Sequence, residues 1–600
     1  MPRDLIPELH DVLKLTTLEH NFADFDLFQS LAPNTPTWSG VFQHHCSSRF
    51  PGYPTDRNTF LLHMADGLAS NFSRHEQSIQ QQDRDFTVYR LWNPRRVVKD
   101  ARLRDPKQIQ TLLEFLGQDP CFEEFYSQYK EVFRSRTEDA RPGWNITTLE
   151  THVRLVGRFY RFLLQSKALA VTDDEAVAAA AGGFQGVADL RKRKTQEWQL
   201  HLLHCRVRLL TNPFRARDLN VFDALQEFLQ DVSRRLGDRV LFSSGEELFL
   251  YSDNLDVLTD LRDLAAPRGV ALEIRRDLQR VDMFSLDFRK PEFQILYPEL
   301  DLRLVPPLCE ICQMKHATKV WPDDYLASKG ADAEVAGGGK DHLCETCFSI
   351  RSRPSQLKKL AHWDEWATGD LIWVRFGLDF ERLRTILGRL YLDYLRSLDP
   401  KTPEDKASVR FSLIAEFQHD YQDYLADIRG RLIQQFGEER VEQILPDLFC
   451  IQAQAGTDAF SVLSCFLSSV RELFPAFLGD FGAPIKVSLA YSGVKHPFFE
   501  VWRQWEEQDD ELEIIAVGHG SLGLELKHLE KFLQLADYRF RQSALHNLAE
   551  ISRVSQQLAE LRFRSAGEKG ERDTFEHLKE FLPLGLTFDA ILTLAKLARG

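Results

Sequence analysis

The sequence has no apolar run near the ~20 residues that span a bilayer, so no membrane helix is expected. Its opening, Met1 to Pro7, is followed at once by Glu8 and already holds Asp4, which is not the pattern of a signal peptide. There is no P-loop, no GxSxG elbow, no HExxH and no Rossmann glycine fingerprint, so the commonest enzyme classes lack a sequence basis here. Cationic surplus is missing too. Lys and Arg number 75 against 89 Asp and Glu, a net charge of −14. That balance argues against a wholesale nucleic-acid coat and leaves a local basic groove, or a place inside a larger assembly. Cysteine is sparse, with nine residues, which fits a reducing, cytoplasmic setting rather than a disulfide framework.

What is present begins with four of those cysteines. Cys309-Glu-Ile-Cys312 and Cys344-Glu-Thr-Cys347 are two CxxC knuckles on either side of a loop containing Gly337-Gly-Gly339. Such spacing can set four thiolates tetrahedrally around one Zn²⁺, and with no open position the site is expected to be structural.

A chain of 600 residues exceeds one core and suggests about three to five domains. Residues 1–100 read as helical, with Leu5, Leu9, Val12 and Leu13, then Phe60, Leu61, Met64 and Leu68, at helical spacing. Residues 101–212 also read as helical. Asp173-Asp-Glu175 marks a helix start and Gly182-Gly183 its end. Arg191-Lys-Arg-Lys194 reads as a solvated basic helix face.

An α/β unit follows over 213–305: a helix Val221–Leu236, strands Arg239–Phe242 and Leu248–Tyr251, a helix capped by Asp253, and a strand Val270–Ile274. Beyond the knuckle region (306–355), a similar unit spans 356–520. It has a strand Leu371–Phe376, a helix Phe380–Leu395, a helical insertion from about 408 to 445, and strands Leu448–Ala453 and Phe460–Leu463 about a turn Ala455–Asp458. A helix including Ser468–Phe474 and a strand Ile485–Ala490 complete it. Residues 521–600 are expected to be all helical, with Leu529, Phe532, Leu533, Ala536 and Phe540 as a core stripe. The expected fold class is therefore multidomain α+β: a helical N-terminal domain, two ferredoxin-like palm units flanking a zinc knuckle, and a C-terminal helical bundle.

The order of hairpin, zinc knuckle and second hairpin resembles the large subunit of type III CRISPR–Cas effector complexes. Leu241-Phe-Ser-Ser-Gly-Glu-Glu-Leu-Phe-Leu250, the four cysteines, and Val487-Ser-Leu-Ala-Tyr-Ser-Gly-Val-Lys-His-Pro-Phe498 carry the resemblance. It implies an HD-type nuclease domain, two palms and a helical C-terminal domain in a cytoplasmic antiviral complex. Other effector subunits, guide RNA and target RNA would be the partners, and single-stranded DNA a possible substrate.

Where that family carries its Gly-Gly-Asp-Asp signature, this chain is read as Ala455-Gly456-Thr457-Asp458, and the preceding strand ends Gly377-Leu378-Asp379. A palm cyclase needs carboxylates from both places to hold two Mg²⁺ on a triphosphate. Thr457 is neutral, so cyclic oligoadenylate synthesis is predicted to be absent, with Asp379, Thr457 and Asp458 as the remains of the site.

The resemblance also implies a permuted HD domain, in which a His-Asp pair comes first and an aspartate last. His10-Asp11, Lys14, His44-His45 and Ala65-Asp66 follow that order, although Val12-Leu13 replaces the family's usual Ile-Gly before the lysine. Imidazole and carboxylate donors suit Mn²⁺, Co²⁺, Ni²⁺ or Fe²⁺. His63, three residues before Asp66, would be a ligand or a supporting partner. Two readings stand: a metal-dependent single-strand nuclease with an inert palm, and a purely structural scaffold subunit.

Overall fold

The computed structural model describes residues 7–15, 53–73, 88–94, 101–118, 120–137, 146–166, 169–197, 201–209, 220–244, 247–277, 293–296, 307–311, 315–329, 340–352, 370–404, 409, 411–493, 498–506, 510–517, 520–534, 551, 557–558 and 561.

Two 3-10 turns, Pro7–Leu9 and Val12–Leu15, open the described chain. Bonds from His10 N to Pro7 O and from Lys14 N to Asp11 O close these tight turns, so His10 and Asp11 sit between them rather than on the expected helix. Helices α1 (Arg57–Ser73), α2 (Pro106–Gly117), α3 (Phe122–Ser135), α4 (Leu149–Gln165), α5 (Asp173–Ala181) and α6 (Gly183–Glu197) follow. Thr148 caps α4, and a Thr172–Glu175 capping box starts α5 at the expected place.

The helical reading of 101–212 fails at its end. His201–Leu209 is a strand, β1, and it becomes the centre of the first sheet. Its partners come from α7 (Asn220–Leu236), β2 (Val240–Ser243), β3 (Glu247–Ser252), α8 (Val257–Ala265), β4 (Val270–Asp277) and β5 (Phe293–Leu296). The order β2-β3-β1-β4-β5 and the βαββαβ succession fit a ferredoxin-like unit. Asp253 does not cap α8, since its carboxylate accepts from Ser166 instead.

A two-stranded ribbon of β6 (Lys319–Trp321) and β7 (Asp341–Leu343), with α9 (Asp323–Ser328) and α10 (Glu345–Arg351), separates this sheet from the second. The second contains β8 (Asp370–Leu378), α11 (Phe380–Leu398), α12 (Phe411–Phe436), β9 (Val441–Leu445), β10 (Leu448–Ala453), α13 (Asp458–Leu473), β11 (Ile485–Gly493), α14 (Phe498–Glu506), β12 (Leu512–Ala516) and β13 (Gly520–Leu524). Its strand order is β13-β12-β11-β8-β10-β9. Thus β8 occupies the place of β1, and β9-β10 that of β2-β3, with α12 inserted.

Three expectations change here. The insertion ends at Phe436, and 441–445 is a strand. Phe460–Leu463 lies inside α13, whose apolar residues have helical rather than alternating spacing. The segment after Ser521 begins as strand β13, and helical structure starts with a 3-10 turn at Leu526 before α15 (Leu529–Leu533). Ala536 and Phe540 lie outside the described residues.

Alternation along the strands explains the core. Leu248 and Leu250 of β3 enter one apolar cluster, while Phe249 and Tyr251 enter another. On β8, Leu371 and Trp373 divide in the same way from Ile372, Val374 and Phe376. Both faces of each strand are buried, so these strands read as unbroken apolar runs. At the seam between the sheets, Phe249 stacks on Phe380 with ring centres 3.9 Å apart, and His204 stacks on Phe249 at 4.3 Å.

Insertion helix α12 ties the helical region to the second sheet. Tyr421 donates to Phe376 O at 2.6 Å, and Trp92 Nε1 donates to Asp420 at 2.8 Å. Glu416 pairs with Arg90 in the same interface, and both are buried. No helix among the described residues is long and apolar enough to cross a membrane.

Candidate metal centre

His10, Asp11, Asp66 and His152 meet from three segments. His10 Nε2 lies 3.3 Å from Asp11 Oδ2, 3.7 Å from Asp66 Oδ1 and 3.3 Å from His152 Nε2. His152 Nε2 lies 3.4 Å from Asp11 Oδ2 and 3.3 Å from Asp66 Oδ1. An ion bound at ~2.1 Å needs its donors about 3.0–3.4 Å apart, from octahedral to tetrahedral. The observed separations are close to that range. His10 Nδ1 donates to Pro7 O at 2.8 Å, which leaves the Nε2 lone pair facing the cluster. His10, Asp11 and His152, whose donor atoms lie within 4.8 Å of one another, fit a divalent transition ion as its holders, and Asp66 stands beside the two imidazoles as a further carboxylate.

His10, Asp11 and the turn that carries His152 are supported from behind. Burial of Asp11 raises its pKa, but Lys14, at 2.6 Å, and the imidazoles outweigh that and hold the carboxyl well below the usual range. It is a carboxylate at neutral pH. Lys14 is thus engaged with Asp11, and its carbonyl accepts from Arg136. The Pro7–Leu9 turn lies directly on α4, with Glu8 paired to Arg161. A Cβ at Gly157 would occupy the space of the Glu8 carboxylate, so glycine permits this close approach.

The first turn of α4, which carries His152, is held by Glu416 of α12. Its carboxylate accepts from Thr148 N at 2.9 Å, Thr148 Oγ1 at 2.7 Å and Thr151 Oγ1 at 2.5 Å. Burial alone would raise the Glu416 pKa; Arg90 and these donors reverse that and bring it to about 2.

Of the residues named from sequence, His10, Asp11, Lys14 and Asp66 are brought together here, while His44 and His45 lie outside the described residues. His63 stands beside Arg191, with Nε2 3.5 Å from its Nη1. His152 is not singled out by the sequence, because it lies in a helical segment without a motif. Its signal is a histidine on the apolar stripe of α4 beside Leu149, Val153 and Val156, where a polar residue needs a reason.

Cys309, Cys344 and Cys347 are buried, with their sulfurs within 4.8 Å of one another. Cys344 also caps α10. Cys312 lies outside the described residues. Three converging thiols on two knuckles fit a zinc that the fourth would complete.

The palm residues do not form one site. Ala453 pairs with Asp370 at the start of β8, whereas Asp379 follows the end of that strand. Nine residues at ~3.3 Å put the two levels roughly 30 Å apart along the strand. Asp379 caps α11 and lies 3.2 Å from Lys486. Asp458 pairs with Arg440 at 2.8 Å and accepts from Gln454 N, and Thr457 opens α13 without a side-chain cap bond. Topologically, the hairpin equivalent to β2-β3 turns at Pro446-Asp447, between β9 and β10. Asp447 is buried there, 3.5 Å from Arg375, and its carbonyl accepts from Phe376 N.

No family model matches the chain, and no curated protein matches its sequence. Solved structures do match. A Csm1–Csm4 cassette in complex with cA4 aligns with a TM-score of 0.51 at 13% identity, covering 99% of this chain and 98% of that one. The cassette in complex with AMPPNP gives 0.51 at 12%, and Csm1 of T. onnurineus gives 0.50 at 12%, each with the same coverage. The chain has a Csm1-like fold over nearly its whole length.

Proposed function

We propose that this protein is the large subunit of a type III CRISPR RNA-guided effector complex, and that its His/Asp centre is a metal-dependent nuclease for single-stranded nucleic acid, DNA first. The observation that carries the nuclease is the convergence of His10, Asp11 and His152, with Asp66 3.3–3.7 Å from the two imidazoles. The Csm1-like fold supports the assembly role, with other effector subunits, guide RNA and target RNA as partners. The neighbouring structures pair Csm1 with Csm4 and with cA4 or AMPPNP.

When bound, a Mn²⁺-class ion supplies a hydroxide-like nucleophile near neutral pH. The protein's own part is to hold its donors ionised and aimed: Lys14 on Asp11, Pro7 O on His10, and Glu416 behind His152. In the palms, Asp379, Asp447 and Asp458 all have structural partners. This supports a scaffold that makes no cyclic oligoadenylate. Cys309, Cys312, Cys344 and Cys347 would hold the structural Zn²⁺ between the two sheets.

The test is cleavage of single-stranded DNA by the assembled complex with Mn²⁺, Co²⁺, Ni²⁺ or Fe²⁺. Cleavage is expected to vanish in the His10→Ala/Asp11→Ala double variant and in His152→Ala. Cleavage that survives both, or none from the wild type, rejects the nuclease and leaves the scaffold.

A further inference from the structure

The basic cluster on α6 is not uniformly solvated. Arg193 and Lys194 lie 3.4 and 3.0 Å from Glu175, so their charge is largely spent within the α5–α6 hairpin. Arg191 turns instead toward α1, where its Nη1 stands 3.5 Å from His63 Nε2. Lys192 is exposed and forms no ion pair among the described residues.

The face of α1 beneath Arg191 is the same one that carries Asp66. His63, Asp66 and Gly67 are its partly exposed positions, while Leu62, Met64, Ala65 and Leu68 are buried. Residues three and four apart on a helix are surface neighbours, ~5–6 Å between Cβ atoms. Gly67 leaves room for the guanidinium: a Cβ there would already lie 3.9 Å from Arg191 Nη1, and a longer side chain would fill that space. The hairpin is anchored to the start of α1 by Asp173, whose carboxylate accepts from Arg57 N.

We infer that Arg191 and Lys192 form a phosphate-binding ridge beside the His/Asp centre, which holds the backbone of a single-stranded nucleic acid as it crosses the α1 face. His63 acts as a positioning residue, because its Nε2 orients the Arg191 guanidinium. The inference rests on the nuclease reading for its purpose, but not for its measurement. In a protein of net charge −14, phosphate affinity has to come from such local groups. Guanidinium suits the task, since its planar fork matches phosphate oxygens.

The experiment measures binding of fluorescent oligo-dT and oligo-U to the full-length chain at several salt concentrations, without added transition metal. Variants are Lys192→Gln, the Arg191→Gln/Lys192→Gln pair, and the charge-keeping Arg191→Lys/Lys192→Arg pair. Lys192→Gln is a surface change that leaves folding intact. The neutral pair is expected to bind about tenfold more weakly at low salt, with a log–log salt slope smaller by about 1.4, or ~0.7 for each phosphate no longer neutralised. Lys192→Gln alone should lower the slope by about half as much, and the charge-keeping pair should retain most of the affinity. Unchanged affinity and slope in the neutral pair, or no binding by the wild type, overturns the ridge. Absence of metal-dependent cleavage alongside a ridge effect on binding would overturn the nuclease reading alone.

Discussion

Asp11 and Asp66 share two imidazoles, whereas Asp379, Asp447 and Asp458 each turn to a cation or a backbone amide of their own. In the first region, carboxylates and lone pairs converge and are steadied by neighbours that leave their inner atoms facing one another. In the second, the carboxylates serve a helix cap, a hairpin turn and a loop, with Asp379 and Asp447 toward one end of β8 and Asp458 toward the other. What separates the proposed metal centre from these acids is convergence supported from behind.

The largest effect is expected at the proposed zinc knuckle, whose thiol donors differ in kind from those of the His/Asp cluster. Cys344→Ser removes a buried sulfur that also caps α10, and structural zinc in small domains contributes on the order of 10 kcal/mol. Metal analysis should show zinc lost and the 307–352 region opened to protease, with Mn²⁺ binding at the His/Asp centre retained. Zinc still bound at full occupancy would contradict the assignment.

Next comes the support behind His152. Glu416→Ala leaves Arg90 buried beside fewer carboxylates and releases Thr148 and Thr151, at a cost of about 3–5 kcal/mol. Hydrogen exchange at the first turn of α4 should quicken, and Mn²⁺ affinity should fall although Glu416 touches no ion. The pH dependence has a definite sign. The folded pKa of Glu416 is depressed to about 2, so its contribution is fully present above the unfolded value of ~4.3. It is lost as pH falls from there through about 2, ~3 kcal/mol in all. Protection of α4 that holds unchanged to pH 2 would argue against it.

A smaller effect separates the two regions directly. His152→Ala should lower Mn²⁺ affinity ~100-fold by calorimetry, whereas Asp458→Ala should leave it unchanged. Smallest of all, Asp379→Ala should cost ~1 kcal/mol as a lost helix cap, read by denaturation, with metal content untouched.

The sequence makes some of this contrast visible and hides the rest, for physical reasons. His10-Asp11 and Asp66 are readable as an ordered set, and the CxxC pairs carry their spacing on their face. His152 is hidden because one histidine on an amphipathic helix looks like any other buried residue until its neighbours are known. The strand His201–Leu209 does carry an alternation of apolar residues with His204, Arg206 and Arg208, and it is masked only by the long helical stretch before it. The palm turn is easily misplaced because Gly456-Thr-Asp458 has the look of a hairpin turn, yet it opens a helix. The real turn, Pro446-Asp447, combines two strong turn formers.

The central claim is that this chain concentrates transition-metal chemistry at one end and has none along β8. Anomalous diffraction from crystals of the protein soaked in Mn²⁺ tests it most directly. The account predicts a peak enclosed by His10, Asp11, Asp66 and His152, and none beside Asp379, Asp447 or Asp458. A peak at those strand ends, or none at the His/Asp cluster, would contradict it.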